Sequence, residues 1–198
     1  MKGLINQMNI CVYGASSSLI AKNYTNAVEE LGELIAKHGH GLVFGAGAGG
    51  MMGAAARGAY RAGGTIIGVV PTFFNVDGAL FENCTELIRT ETMRERKQIM
   101  EDKSDAFIMT AGGIGTFEEF FEILTLKQLG RHEKAIVVFD KDGYYDNLLK
   151  MLDTAVEQKF MRQECRELFY AAKSPLDAIN YIENYVPHKY NILEVKDI

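Results

Sequence analysis

The stretch 105-DAFIMTAGGIGTFEEFFEILTLKQ-128 sets the terms for the whole chain. Its first seven residues, 105–111, form a short apolar run that reads as a buried strand. Gly112, Gly113 and Gly115 follow, and from Gly115 to Gln128 the pattern is helical. A strand, a glycine turn and a helix make half of a βαβ unit. Glycines ahead of a helix let backbone amides approach an anion, and the helix dipole favours negative charge there. Gly112, Gly113 and Gly115 are therefore expected to expose amides to a single phosphate, with the Thr116 hydroxyl as a further donor. The lysine of a GK[ST] loop is missing, so this is not a P-loop. Glu118 and Glu119 are expected in the first helical turn, where one role open to them is to offset the macrodipole. Adjacent helical side chains point about 100° apart. One glutamate should face the crevice, and the other should serve structure or a neighbour.

Working outward, the same alternation repeats. Strands are expected over 8–16, 41–44, 65–71, 85–91, 105–111, 134–140 and 168–172. Helices are expected over 20–38, 51–62, from the Thr92 cap to Lys103 with Glu95 as capping-box acid, and over 115–128, 144–159, 162–167 and 175–185. Strand–helix alternation at this spacing predicts an α/β fold: a single Rossmann-like, doubly wound parallel sheet with helices on both faces. The 198 residues suit one nucleotide-binding domain over 1–198, with the tail 187–198 peripheral. The glycine turns near Val12, Phe44 and Met109 all fall at strand carboxyl ends, so they can converge on one crevice.

The richest glycine run, 45-GAGAGGMMG-53, follows the second strand. A dinucleotide fingerprint would sit after the first. Two readings stay open for it: an anion cradle, or tight helix–sheet packing. Ser16, Ser17 and Ser18 after the first strand read either as hydroxyl donors or as plain caps. In 91-ETMRERKQIM-100, Met93, Arg96, Lys97 and Met100 share a helical face. A cation pair between methionines points to a partly buried site in which an arginine clamps a phosphate or orients a carboxylate.

Composition narrows the classes. A formal charge of −5 argues against general affinity for nucleic acid or acidic membranes. No run approaches the ~18 apolar residues of a membrane span, and the N-terminus does not read as a signal peptide. Cys11, Cys84 and Cys165 are widely spaced without a CxxC pair, as expected of reduced, mostly buried thiols in a cytoplasmic protein. His38, His40, His132 and His188 show no metal spacing, so no metal is expected.

Two linked motifs, 93-MRERK-97 and the 104–130 segment, resemble the lonely guy family. Its members are cytokinin riboside 5′-monophosphate phosphoribohydrolases, formerly mislabelled lysine decarboxylases. The family pattern is an M-x-x-R-K helix followed by P-G-G-x-G-T-x-x-E, and the likeness extends from "CVYGASSS" through "DGYYDNLL". The resemblance implies hydrolysis of the N-glycosidic bond of a nucleoside 5′-monophosphate, N6-modified or plain AMP, to free base and ribose 5-phosphate, without a cofactor. By the same resemblance Arg96 and Glu119 are the catalytic pair. Lys97 stands beside the arginine, Gly113, Gly115 and Thr116 form the phosphate loop, and Met93 and Gly112 belong to the substrate-binding set. It also implies at least a homodimer. This sequence departs from the family at Ala111, where proline is usual, and at Gly45–Gly53, where GGGNVGLMG is usual. Two other classes compete: a non-catalytic nucleotide or cofactor carrier of Rossmann type, and a lysine decarboxylase. The second wants a pyridoxal phosphate lysine that the chain does not offer.

Overall fold

A computed structural model describes residues 6–74 and 78–189. Seven strands, β1 (Asn9–Tyr13), β2 (Gly41–Phe44), β3 (Ile66–Pro71), β4 (Glu86–Thr90), β5 (Ala106–Met109), β6 (Ala135–Phe139) and β7 (Tyr170–Ala172), form one sheet in the order β4-β3-β2-β1-β5-β6-β7. Every pairing is parallel. The chain builds outward from β1 to the β4 edge, returns to pair β5 with β1, and builds out to β7. The order therefore reverses between β1 and β5, where doubly wound folds bind ligands.

Among the described residues six α-helices cover the sheet: α1 (Lys22–Lys37), α2 (Gly50–Arg61), α3 (Met93–Asp102), α4 (Ile114–Gln128), α5 (Asp146–Glu157) and α6 (Pro175–Glu183). Strand side chains alternate between faces. Ile10, Val12, Leu42, Phe44, Ile108 and Val137 pack with α1, α2 and α6. Cys11, Tyr13, Val43, Phe107, Met109 and Val138 pack with α3, α4 and α5. Both faces are thus dry, and the central strands are apolar throughout, as parallel sheets require.

The expected elements are present with trimmed ends. The segment expected as a helix over 162–167 is a 3-10 turn, Gln163–Leu168, and β7 starts two residues later than expected. The expected helix over 144–159 begins with a 3-10 turn at Lys141–Gly143, where Asp142 takes a left-handed backbone. The serines after β1 do not cap α1, whose N-cap is Ala21; Ser17 Oγ instead accepts from the Leu19 amide. Cys11 and Cys165 are buried, whereas Cys84 is only partly so. Of the tail expected to be peripheral, residues 190–198 lie outside the described residues.

Helices α1 and α2 touch backbone to backbone. A Cβ on Gly32 would stand 2.0 Å from the Ala55 carbonyl oxygen, and one on Gly58 would stand 1.9 Å from that of Glu29. This contact seats α2, which leads out of the 45–49 loop. Ala normally favours a helix over Gly by ~1 kcal/mol. Here the clash is with backbone and cannot be relieved by a rotamer, so overpacking of ~1–3 kcal/mol should prevail. Gly32→Ala is therefore expected to lower the melting temperature, by about 2–4 °C per kcal/mol at this size. A melting temperature equal to or above that of the unsubstituted protein would contradict the close approach.

Candidate active site

Three turns meet at the switch point. The Ala15 amide donates to the Ala111 carbonyl at 3.2 Å, and the Met51 amide to the Ala15 carbonyl at 2.8 Å. The Thr110 hydroxyl donates to the Tyr13 carbonyl at 2.8 Å. The loops after β1, β2 and β5 are thereby laced into one floor. The two readings of the 45–53 glycines now separate. Gly49 and Gly50 are pressed against the carbonyls of Ser16 and Ala15, and Gly53 against that of Ala48, so these serve packing. Gly45 does something else: a Cβ there would lie 2.0 Å from a terminal nitrogen of Arg96. The missing side chain is the space the guanidinium occupies.

Arg96 comes from the first turns of α3. Thr92 Oγ1 caps that helix by accepting from the Glu95 amide at 3.1 Å, and Glu95 reaches back to the Glu91 amide at 2.8 Å. With only 8% of its surface exposed, Arg96 crosses the sheet edge and donates through Nε to the Val69 carbonyl at 3.1 Å. Through Nη1 it donates to Glu119 Oε1 at 3.2 Å.

Glu119 lies on α4. That helix begins at Ile114, so Glu118 and Glu119 stand in its second turn and no acid sits in the first. The dipole-offset role expected for them therefore loses its geometric basis, since that effect fades beyond the first turn. The two side chains diverge as their helical spacing requires. Glu119 turns inward to Arg96, whereas half-exposed Glu118 pairs with Lys97. Lys97 also holds Glu122 at 2.8 Å, so its charge ties α3 to α4 along the outer rim and does not point into the crevice. Met93, at the start of α3, is exposed, and Met100 is buried in the core below.

Burial pushes the Glu119 carboxyl up to about 7, against the pull of Arg96; the nearby Glu118 charge adds to the rise. Desolvation disfavours the charged form, and the guanidinium recovers only part of that loss. Beneath the pair, burial likewise pushes the Cys11 thiol up to about 12. That thiol is inert at neutral pH.

The amino end of α4 is left open. Its N-cap is Gly113, with no side-chain cap, so the first amides of the helix lack the partner that a capping residue would supply. A Cβ on Gly113 or Gly115 would meet nothing within 4 Å, and neither glycine has a positive φ. Nothing in the fold demands glycine at these two exposed positions. Gly112 differs from the expectation that it exposes its amide: it is buried, with Thr116 Oγ1 2.1 Å from where its Cβ would be. Thr116 is tucked under the turn, and Ile114 stands 88% exposed at its lip.

A cavity of about 470 Å³ lies at the other end of the sheet, lined by Asp105, Arg131, His132, Lys134 and Tyr185 among others. Three of its polar side chains are engaged internally. Asp105 accepts from the Asn9 amide, His132 contacts the Ile123 carbonyl, and Lys134 donates to that of Glu101. The switch-point crevice is the better candidate because the amino end of α4 there is uncapped and exposed. Among the described residues no group of three or more His, Cys, Asp or Glu side chains could hold a metal, and no helix is long and apolar enough to cross a membrane.

Residues 52–182 match a family model described as "Possible lysine decarboxylase". A probable cytokinin riboside 5′-monophosphate phosphoribohydrolase of Oryza sativa subsp. japonica is 35% identical over 187 residues, covering 94% of this chain and 76% of the relative. A cytokinin riboside 5′-monophosphate phosphoribohydrolase of Arabidopsis thaliana is 34% identical over 187 residues, covering 94% and 88%. Among solved structures, the molybdenum cofactor carrier protein of Chlamydomonas reinhardtii superposes with a TM-score of 0.68 at 26% identity, over 90% of this chain and 97% of that one. The molybdenum cofactor binding protein of Rippkaea orientalis does so with 0.69 at 25%, over 90% and 97%. With a family model matched over most of the chain, and with relatives above 30% identity covered over 76% and 88% of their length, the chain belongs to the lonely guy family, whose curated members carry the phosphoribohydrolase name.

Proposed function

We propose that this protein hydrolyses the N-glycosidic bond of a nucleoside 5′-monophosphate, AMP or an N6-modified form of it, releasing free base and ribose 5-phosphate. The observation that carries the reading is a buried carboxylate–guanidinium pair, Glu119 with Arg96, whose glutamate lies on the same helix as an uncapped, unobstructed N-terminus. Five residues separate Ile114 from Glu119, about 7.5 Å of helix axis. A phosphate on the amides of Gly113, Ile114 and Gly115 would leave its ribose reaching toward Glu119. Thr116 and Gly112 shape that turn, Met93 borders the crevice, and Lys97 fixes α3 against α4. Remote phosphate binding then holds C1′ against the carboxylate, which is how a non-reacting group lowers a barrier.

In the chemical step the C1′–N bond breaks with its electron pair leaving on the base, and the sugar gains oxocarbenium character. Glu119 stabilises that positive charge and accepts a proton from the water whose oxygen bonds to C1′, and that proton passes to the departing base nitrogen, which leaves Glu119 ionised again. Arg96 keeps the carboxylate ionised and aimed. No cofactor enters the scheme. We further propose that the chain acts as one domain in the cytoplasm and as a homodimer or larger homo-oligomer; light scattering that gives the mass of one chain would reject the last point. The carrier reading shares the sheet and the anion site. Incubation with AMP separates the two, since only the hydrolase liberates adenine.

Glu119→Gln and Arg96→Ala are each expected to lower turnover by at least ~10²-fold, the usual worth of a charge-stabilising or proton-transferring group. Circular dichroism should remain that of a folded protein. Adenine release at the unsubstituted rate in either variant would overturn these roles. The Glu119 titration gives a second test. Its folded value of about 7 lies above an ordinary glutamate near 4.5. Between those values the native state binds more proton than the unfolded one. The stability contributed by this group therefore declines as pH rises through that window, then levels off above it. In ¹³C spectra of glutamate-labelled protein, one carboxyl should titrate near pH 7, vanish in Glu119→Gln and move higher in Arg96→Met. If every glutamate titrates below pH 5.5, the buried-pair geometry is wrong.

A further inference from the structure

The turn that presents the α4 amides is itself held from behind by the segment that follows β6. Tyr144 donates its hydroxyl to the Gly112 carbonyl at 2.8 Å, and Tyr145 donates to the Thr110 carbonyl at 2.7 Å. Between them, the Ala111 carbonyl accepts from the Ala15 amide at 3.2 Å. Three consecutive carbonyls are thus fixed by three outside donors. In a trans peptide the carbonyl and the following amide point in opposite directions. Holding the Gly112 carbonyl toward Tyr144 therefore holds the Gly113 amide away from it, and a Cβ on Gly113 would meet nothing within 4 Å.

The two tyrosines are anchored in turn. Tyr145 is 1% exposed, and its own amide donates to Asp140 Oδ1 at 2.7 Å. Asp140, at the end of β6, is buried and paired with Lys173. The Tyr144 ring meets Tyr145 edge-on at 4.8 Å and Tyr24 of α1 at 5.9 Å. Burial pushes the Tyr145 hydroxyl well up, so it stays a proton donor. Tyr144 is 43% exposed. A hydroxyl there is not needed to complete a core, yet it is spent on a loop carbonyl.

We propose that Tyr144 and Tyr145 are positioning residues for a phosphomonoester site at the N-terminus of α4: they clamp the carbonyls of Gly112 and Thr110 so that the amides from Gly113 onward are preorganised toward the phosphoryl oxygens. This rests on the phosphate reading of that turn made above. Neither tyrosine touches the reacting sugar carbon, so each acts on binding before chemistry. The clamp also assigns a task to the β6–α5 connection, which no catalytic or binding role otherwise reaches.

The test uses the full chain, with ribose 5-phosphate and inorganic phosphate as probes and AMP as substrate. Tyr144→Phe keeps the ring and its stacking and deletes only the hydroxyl. The net worth of one hydrogen bond corresponds to about fivefold in an equilibrium constant. Tyr144→Phe is therefore expected to weaken ribose 5-phosphate binding and raise KM for AMP by about fivefold each, with kcat changed less than about twofold. In ¹⁵N spectra the Gly113 and Gly115 amides should shift on phosphate addition, with the same loss of affinity in the variant. Tyr145→Phe should act in the same direction. If that variant fails to fold, Tyr144→Phe alone decides.

Unchanged ribose 5-phosphate affinity in the folded variants would overturn the proposal, whether or not the melting temperature falls. So would an unsubstituted protein that binds neither probe. A protein that binds ribose 5-phosphate but releases no base from any monophosphate would sink the hydrolase reading alone, and the clamp would still be judged by the binding constants.

Discussion

The structure of this site depends on keeping one carboxylate charged where there is little water. Glu119 is largely buried, and burial alone would leave it protonated at neutral pH. Among the described residues Arg96 is the cation that contacts it directly to prevent that, and it is itself held by the Val69 carbonyl and by the empty space over Gly45. Removing one partner of such a pair leaves an uncompensated charge, a loss of ~3–5 kcal/mol when burial is complete and less here, where each side chain keeps some exposure. The result is a balance: the carboxyl titrates near 7, so it is neither an ordinary surface glutamate nor a permanently neutral core acid. Lys97 reinforces the balance indirectly. By pairing with Glu118 and Glu122 on the outer rim, it fixes the distance between the two helices that supply the buried pair.

The topology explains why those two helices are neighbours. The chain reaches β4 at one edge and must then return to β5 beside β1. The crossover that makes this return is α3, and the next crossover, from β5 to β6, is α4. Both pack on the same face, with Met100 of α3 and Phe120 of α4 in one cluster. The reversal that opens the crevice therefore also brings Arg96 and Glu119 together. Neither residue could be placed by moving a single loop. Each is fixed by the helix that closes one half of the sheet.

That dependence also marks what could be read from the sequence. Strand and helix identities were legible because their apolar runs and periods are local, and the parallel sheet followed from their alternation. The divergence of Glu118 and Glu119 was legible too, since it is a property of helical spacing. Glycines were not. Gly45, Gly50, Gly112 and Gly113 look alike in the chain, yet one clears space for Arg96, one is pressed on the Ala15 carbonyl, one is filled by Thr116 and one faces open space. A glycine's reason lies in what stands opposite it, which only the fold supplies. The second-turn position of the glutamates turned on the helix starting at Ile114, one residue earlier than the glycine pattern suggests. The tyrosines at 144 and 145 carried no local sign of their partners more than thirty residues away.

The shared sheet of phosphoribohydrolases and molybdenum cofactor carriers means that fold alone cannot choose a function here. The electrostatics of the crevice favour the hydrolase proposed above. A protein that only holds an anion is served by outward amides and a helix dipole, and gains nothing from a carboxylate nearby. An ionised Glu119 would repel the ligand's negative charge, and Arg96 offsets part of that repulsion. That repulsion is compensated when positive charge develops between the phosphate and the carboxylate, as it does on a ribosyl carbon losing its base. The Arg96–Glu119 pair is a poor feature for a carrier and a fitting one for the glycosidic cleavage proposed above, in which a carboxylate that weakens ground-state binding would strengthen binding of the transition state.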